Sequence, residues 1–367
     1  MKNTLLFLSF FLHFLSFGQE QNHSLLIDEK MASIPSEKTQ NTADIACFIN
    51  SNFKTETEKI RAVFYWTAAN IRYDIASISS VPTQETSQDR ITKTLQTRKG
   101  VCADYSLIFN EIANLVSIKS FVVHGYTKQN GKINNLSHAW CAAKIDSKWY
   151  LFDPTWGAGY VNNKTFTQKL NNNYFKVNPA QLIASHMPFD FLWQFLNNPI
   201  TNQEFIEGKT PTNEPKYDFS SEIAKYESLP YKDQLFEMIQ RIEKNGIKNQ
   251  LILEAYNHAK KSWTVERENE ISTKYNQIVS DFNEAINELN DFVYYRNNNF
   301  KPNLPNKEIK AMIQIPNEKL KKCQESIYKI GGTNRGNTTN INNLRKQIAD
   351  ALAQSEIHLQ FVNKYFE

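Results

Sequence analysis

Three side chains in this sequence could jointly transfer an acyl group: the thiol of Cys102, the imidazole of His138 and the carboxyl of Asp153. Cys102 follows Lys99-Gly100-Val101 and opens a run of helical periodicity. A cysteine in the first turn of a helix faces unpaired N–H groups and the positive end of the dipole, which favour thiolate over thiol. Gly100 would let the chain turn tightly into that helix. A thiolate nucleophile still needs a proton carrier, and a histidine titrates near working pH. His138 lies 36 residues further on. A carboxylate beyond the imidazole would hold it in the right tautomer, the part open to Asp153. The ordinary fate of a cysteine is burial or a bridge, so the case rests on position.

Register decides whether the imidazole and the carboxyl can meet. The segments 137–145 and 148–153 alternate and are rich in aromatic and β-branched residues, with the turn-forming pair Asp146-Ser147 between them. A two-residue loop at Asp146-Ser147, or a four-residue loop over 144–147, makes facing residue numbers sum to an odd value. His138 and Asp153 then share a face, diagonal in the first case and opposed in the second. A three-residue loop would separate them. Cys141, Ala143 and Ile145 point the other way, so Cys141 reads as a core residue.

The elements that must position these groups follow from periodicity. Thr55 with Glu58 three residues later is a capping-box signature, and Ile60, Val63, Phe64, Thr67 or Ala68, and Ile71 form one helical stripe. A polar loop is expected over 77–88. A second amphipathic helix is expected over 102–116, with Tyr105, Ile108, Phe109 and Ile112 on one face. The segment 120–126 is the first of three strands, and Asn130-Gly131 marks the turn after it. An α+β layout results, a three-strand antiparallel meander behind a helix. Thr210 to Pro215 is a break rich in proline and threonine. We therefore expect a domain over 19–210, a linker at 211–216, and an all-helical region over 217–367. Within it Ile271, Tyr275, Ile278, Phe282, Ala285, Leu289 and Phe292 recur at spacings of four and three, the seam of a coiled coil or helical hairpin.

Composition narrows the partners. A net charge of +4 from 42 basic and 38 acidic residues makes no polyanion-binding surface, so nucleic acid is not expected. Lys2 followed by an apolar run to Phe17, with Ser16 and Gly18 at −3 and −1, reads as a signal peptide over residues 1–18. Export to a periplasmic or extracellular space is the expected localisation. No segment is apolar enough to span a bilayer. The four cysteines, Cys47, Cys102, Cys141 and Cys323, are widely scattered, without CxxC or HxxxH spacing, so neither a disulfide framework nor a metal site is expected.

The segments "RKGVCADYSLIF" and "HAWCAAKIDSKWYLFDPTWGAG" together resemble the transglutaminase-like superfamily, a papain-related Cys–His–Asp fold. The upstream "VFYWTAANIRYD" is similar to the helix before that core. The downstream "NYFKVNPAQLIASHMPFDFLWQFL" resembles the extension of the kyphoscoliosis-peptidase and cytokinesis-protein branch. The resemblance covers about 43–205 and leaves the C-terminal helices unread. It implies Cys102 as nucleophile, His138 as base and Asp153 as orienting acid. It also offers Trp66 as the counterpart of a transition-state-stabilising tryptophan; an aromatic anchor in the helix core is the other reading, and the Cys102 backbone N–H is the safer oxyanion donor. His186, His124, Trp149 and Trp156 are expected to be structural, and Asp104 to suit the helix dipole.

The leading expectation is an exported cysteine enzyme acting on protein or peptide amides through a thioester, as protease, deamidase or crosslinking enzyme. The alternative is a catalytically silent peptide-binding or scaffolding protein that works through its C-terminal helices, a surface for protein partners in either case. No cofactor is implied, and calcium would find no acidic loop to hold it.

Overall fold

Residues 23–78, 85–209, 216–330 and 335–366 of a computed structural model are described below. The expected signal peptide (1–18), and the expected linker as far as Pro215, lie outside the described residues.

Helices come first in the chain: α1 (23–32), α2 (Thr42–Asn52) and α3 (Glu56–Asn70). The capping box of α3 is present. Thr55 accepts from the Glu58 N–H, and Glu58 reaches back to the Thr55 N–H at 2.9 Å. Ile60, Val63, Phe64, Ala68 and Ile71 are all buried, as their stripe requires. Two-residue strands β1 (Arg72–Tyr73) and β2 (Lys99–Gly100) pair in parallel around α4 (Ser87–Thr97). Of the expected polar loop over 77–88, residues 79–84 lie outside the described residues, and its last two residues already belong to α4, which a Thr86–Asp89 capping box starts.

Helix α5 (Cys102–Leu115) begins at the cysteine. The Asp104 carboxylate turns back to accept the Val101 N–H at 2.8 Å, and Arg90 from α4 donates to it at 2.8 Å. A Cβ on residue 100 would lie 2.7 Å from the Asp104 Cβ, so glycine is what lets that carboxylate fold over the helix start.

The main sheet has four antiparallel strands, ordered β5 (Lys148–Phe152), β4 (Lys132–Ile145), β3 (Ser120–Gln129) and β8 (His186–Pro188). Both hairpin turns have two residues with positive φ, Asn130-Gly131 and Asp146-Ser147, the twist that suits adjoining strands. The outer strand β8 extends the expected meander by one. Short elements α6 (Pro154–Ala158), β6 (Gly159–Asn162), β7 (Thr165–Gln168) and α7 (Pro179–Leu182) connect β5 to β8.

Alternation along β4 divides two cores. Cys141, Ala143 and Ile145 join α2, α3 and α5, while Trp140 and Ala142 pack with Val123, Leu151 and Leu192. Cys141 is buried there, its thiol donating to the Ser106 carbonyl. α8 (Asn202–Glu207) and the helices α9 (Phe219–Ser228) and α10 (Tyr231–Asn245) follow.

The expected division near residue 216 is moved. One compact unit runs to Ala259, and the second begins at Lys260, within α11 (Gln250–Asn297). The reason is packing. Ile223 of α9 shares the core of Val123 and Trp140; Ile242 and Ile252 share that of Tyr126 and Met187. Arg241 donates twice to buried Asp190, at 2.7 and 2.8 Å. In the second unit α11 packs with α12 (Asn306–Lys329) and α13 (Arg335–Tyr365). The expected seam faces inward, with Ile278, Ala285, Leu289 and Phe292 buried. Pro316 lies buried inside α12 rather than at its start. Among the described residues no helix is long and apolar enough to cross a membrane.

The edge strand β8 depends on one small residue. A Cβ at Gly125 would meet the Met187 carbonyl at 2.1 Å and Trp140 at 2.6 Å. Gly125→Ala should therefore push β8 off β3 and destabilise the first unit by about 1–3 kcal/mol, read as a lower denaturation midpoint in urea.

Candidate active site

The observed β4–β5 register pairs Ile145 with Lys148 and Cys141 with Phe152, the two-residue-loop case. His138 and Asp153 are then diagonal neighbours, and the imidazole Nε2 lies 2.7 Å from Asp153 Oδ2. Cys102 lies near enough to His138 to join Asp153 in raising the pKa of that ring. With Nε2 held by Asp153, Nδ1 is the ring atom left to face the sulfur. The three residues expected to share a site are thus brought together, with Cys102 half-buried at the tip of α5.

Asp153 is fully buried and is the hub. It caps α6, where Oδ1 accepts the N–H groups of Thr155 at 2.9 Å and Trp156 at 3.0 Å. Pro154 occupies the first helical position, where no N–H is needed. Oδ2 takes His138 and a second histidine, His186 of β8, whose Nε2 lies 3.1 Å away. The His186 Nδ1 is 2.8 Å from the Ser185 hydroxyl. Nε2–H toward Asp153 and Nδ1 accepting from Ser185 is the tautomer that satisfies both contacts.

Electrostatics separates the two imidazoles. Burial alone would lower the His138 pKa, but the charge and hydrogen bond of Asp153, with a further contribution from Cys102, raise it. For Asp153 burial works upward, and it is overcome by His138 and then His186, so the carboxylate is held well below its usual range. Burial dominates at His186 and pushes its pKa down, with Asp153 opposing. One imidazole keeps a proton beside the sulfur; the other stays neutral as a hydrogen-bond donor.

Aromatic rings pack round this cluster. Trp156 lies 5.4 Å from the His138 ring and 4.6 Å from that of His186, and Trp140 closes a third side. A cavity of about 640 Å³ opens beside it, walled by Tyr73, His138, Trp156, Tyr160, Phe166 and Tyr174 among others. Trp156 and His186 therefore belong to the site, beyond the structural parts expected of them. The Asp153-Pro154 start of a capped helix could have marked Trp156; nothing local to the three-residue strand marks His186. Trp149 does pack structurally, against Phe121 and Phe195. His124 is exposed on β3. Trp66 is fully buried in the α3 core with the Arg98 guanidinium 5.1 Å from its ring centre, and it is not a wall of the cavity. Its depth agrees with the anchor reading, while its indole Nε1 is buried without a hydrogen-bond partner among the described residues.

His138, Asp153 and His186 each offer a ligand atom, all within 4.8 Å of one another. That is a donor set for a cation which the missing HxxxH spacing did not reveal. Here both ring nitrogens are already committed to Asp153.

Residues 44–154 match the family model of the transglutaminase-like superfamily. This segment is a transglutaminase-like domain. The human kyphoscoliosis peptidase is 33% identical over 159 residues, 41% of this chain and 24% of that protein. Hillarin of Drosophila melanogaster is 20% identical over 199 residues, 49% of this chain and 24% of that protein. A solved structure from Cytophaga hutchinsonii, described as that of a cysteine protease, aligns with 25% identity and a TM-score of 0.26 over 33% of this chain and 37% of its own. The chain thus spans about a quarter of the length of these curated relatives.

Two substitutions test the cluster. Asp153→Asn removes the charge that raises His138, so an NMR titration should find that ring losing its proton at lower pH than in the wild type. His186→Phe removes a donor that lowers Asp153. The stability owed to this carboxylate is present above its unfolded pKa and is lost as pH falls through the folded one. With the folded value raised, acid unfolding of the variant should begin at higher pH.

Proposed function

We propose that this protein is an exported cysteine enzyme that cleaves or transfers acyl groups from protein or peptide amides through a thioester on Cys102. The observation that carries the reading is the His138–Asp153 hydrogen bond, with Cys102 beside that imidazole and an aromatic-walled cavity next to it. The apolar N-terminal segment supports the export part of the proposal. The transglutaminase-like domain and the peptidase name of the human relative agree with a protein substrate.

In the first step the Cys102 sulfur adds to the amide carbon, and the carbonyl electron pair moves to oxygen. Collapse of that intermediate breaks the C–N bond, and the leaving nitrogen takes the proton held on His138. Asp153 offsets the imidazolium charge of His138 and keeps Nδ1 aimed at the sulfur. Water, with its proton taken by His138, then releases the acid. An amine entering instead would give a new amide. Hydrolysis and crosslinking thus share every group identified here and differ only in the second nucleophile.

Incubating the purified protein with casein and a fluorescent amine, followed by mass spectrometry, reads cleavage, deamidation and amine incorporation together. Cys102→Ala should abolish the product, a loss on the order of 10⁴-fold or more for a missing nucleophile. Equal turnover by wild type and variant would refute the enzyme reading. No turnover by either would favour the scaffolding alternative.

A further inference from the structure

We propose that the Tyr73 hydroxyl is the side-chain donor that stabilises the oxyanion formed when Cys102 adds to a carbonyl. The proposal rests on the acyl-transfer reading and names a residue which that reading did not include. The adding sulfur forms one bond and displaces one electron pair onto oxygen. A donor aimed there strengthens as the charge develops and keeps its own proton throughout.

Tyr73 is held beside the nucleophile by the backbone. It pairs with Gly100, two residues before Cys102. The bonds on either side fix it there: Arg72 N–H donates to Arg98 O and Asp74 N–H to Gly100 O, each at 2.9 Å. The Tyr105 hydroxyl of α5 donates to the Ile71 carbonyl at 2.6 Å, tying the approach to β1 to the same helix. Gln168 of β7 donates to the Ala69 carbonyl at 2.7 Å, which docks the β6–β7 hairpin on the end of α3. That hairpin brings Phe166, whose ring centre lies 6.3 Å from that of Tyr73.

The phenol is half-buried and lines the same cavity as His138. Its hydroxyl has no hydrogen-bond partner among the described residues, whereas the buried hydroxyls of Tyr105 and Tyr126 each have one. A phenol placed in a cavity wall with its donor free is ready for a ligand atom. Burial first, then the charges of Cys102 and Asp153, push its pKa up to about 12, so it carries its proton at working pH. Cys102 at the first helical position has its own backbone N–H free of any intrahelical acceptor. Hydroxyl and amide together would make a two-donor site. Trp66 is fully buried and is not a wall of that cavity, although its indole Nε1 also has no hydrogen-bond partner among the described residues.

The test is Tyr73→Phe, which keeps the ring against Phe166 and removes only the hydroxyl. Three readouts are compared: kcat and KM on a peptide substrate, affinity for a peptide aldehyde that adds to Cys102, and the rate of Cys102 alkylation by iodoacetamide. Alkylation displaces iodide without forming a carbonyl oxyanion, so it reports the intact thiol–imidazole pair alone. The expected result is a kcat lower by about 10²–10³-fold with KM nearly unchanged, a comparable loss of aldehyde affinity, and alkylation at the wild-type rate. Trp66→Phe, measured on its folded fraction, should keep wild-type aldehyde affinity. Unchanged kcat and aldehyde affinity in Tyr73→Phe would overturn the assignment, and so would an equal fall in alkylation. Loss of aldehyde affinity in Trp66→Phe instead would return the role to the indole. A wild-type protein that is alkylated at Cys102 yet neither turns over peptide nor takes up aldehyde would sink the underlying acyl-transfer reading, a result visible without any variant.

Discussion

The first unit is organised round one buried negative charge. An isolated carboxylate taken out of water costs far more than a single neutral hydrogen bond returns. Asp153 is fully buried and meets that cost with four donors, two backbone N–H groups and two imidazoles. Deleting one partner of such a buried set typically costs about 3–5 kcal/mol. The constraint is therefore structural before it is chemical: each donor must arrive from its own element at hydrogen-bond distance.

That requirement accounts for otherwise unrelated features. The Thr155 and Trp156 N–H groups are available because Pro154 starts a short helix immediately after β5. His138 arrives because a two-residue turn with positive φ at Asp146 and Ser147 sets the diagonal register. His186 arrives because β8 closes on β3 across Gly125, where no side chain could stand between the strands. Helices α9 and α10 cover the far side of the sheet through Ile223 and the Asp190–Arg241 pair, bracing the segment that follows β8. A change in any of these elements reaches the imidazole beside Cys102 through the carboxylate.

How much of this was legible beforehand follows from how local each signal is. Side-chain alternation is a period-two rule, so the pairing of His138 with Asp153 followed from turn length and parity alone. The Thr55–Glu58 cap and the stripe of α3 were equally local. His186 was not legible as part of the site, because a three-residue strand has no measurable period and its pairing with β3 is wholly tertiary. Tyr73 sits on a two-residue strand whose partner is separated from it by all of α4. Trp66 kept two readings for the opposite reason: a resemblance carries residue type, while depth in the core is decided by packing. The domain break near 216 followed composition, but the apolar faces of α9 and α10 needed the sheet as their partner and moved the division to Ala259.

The nucleophile end of the site obeys the same logic of charge. Asp104 stands in the first turn of α5, two residues past Cys102, where a bare carboxylate would repel any anion forming at the helix tip. Two unit charges at ~4 Å still interact by roughly 4 kcal/mol at an effective dielectric of about 20. The structure removes most of that opposition. One carboxylate oxygen is used on the Val101 N–H, and the other is paired with Arg90 at 2.6 Å. Helix α4 thus contributes to the site without touching it, by delivering the guanidinium that offsets Asp104. What remains at the tip of α5 is the free Cys102 N–H and the positive end of the helix, on the side where the proposed oxyanion would form. Asp104 is tolerated there because it fixes the helix start as a hydrogen-bond acceptor while its charge is spent on Arg90.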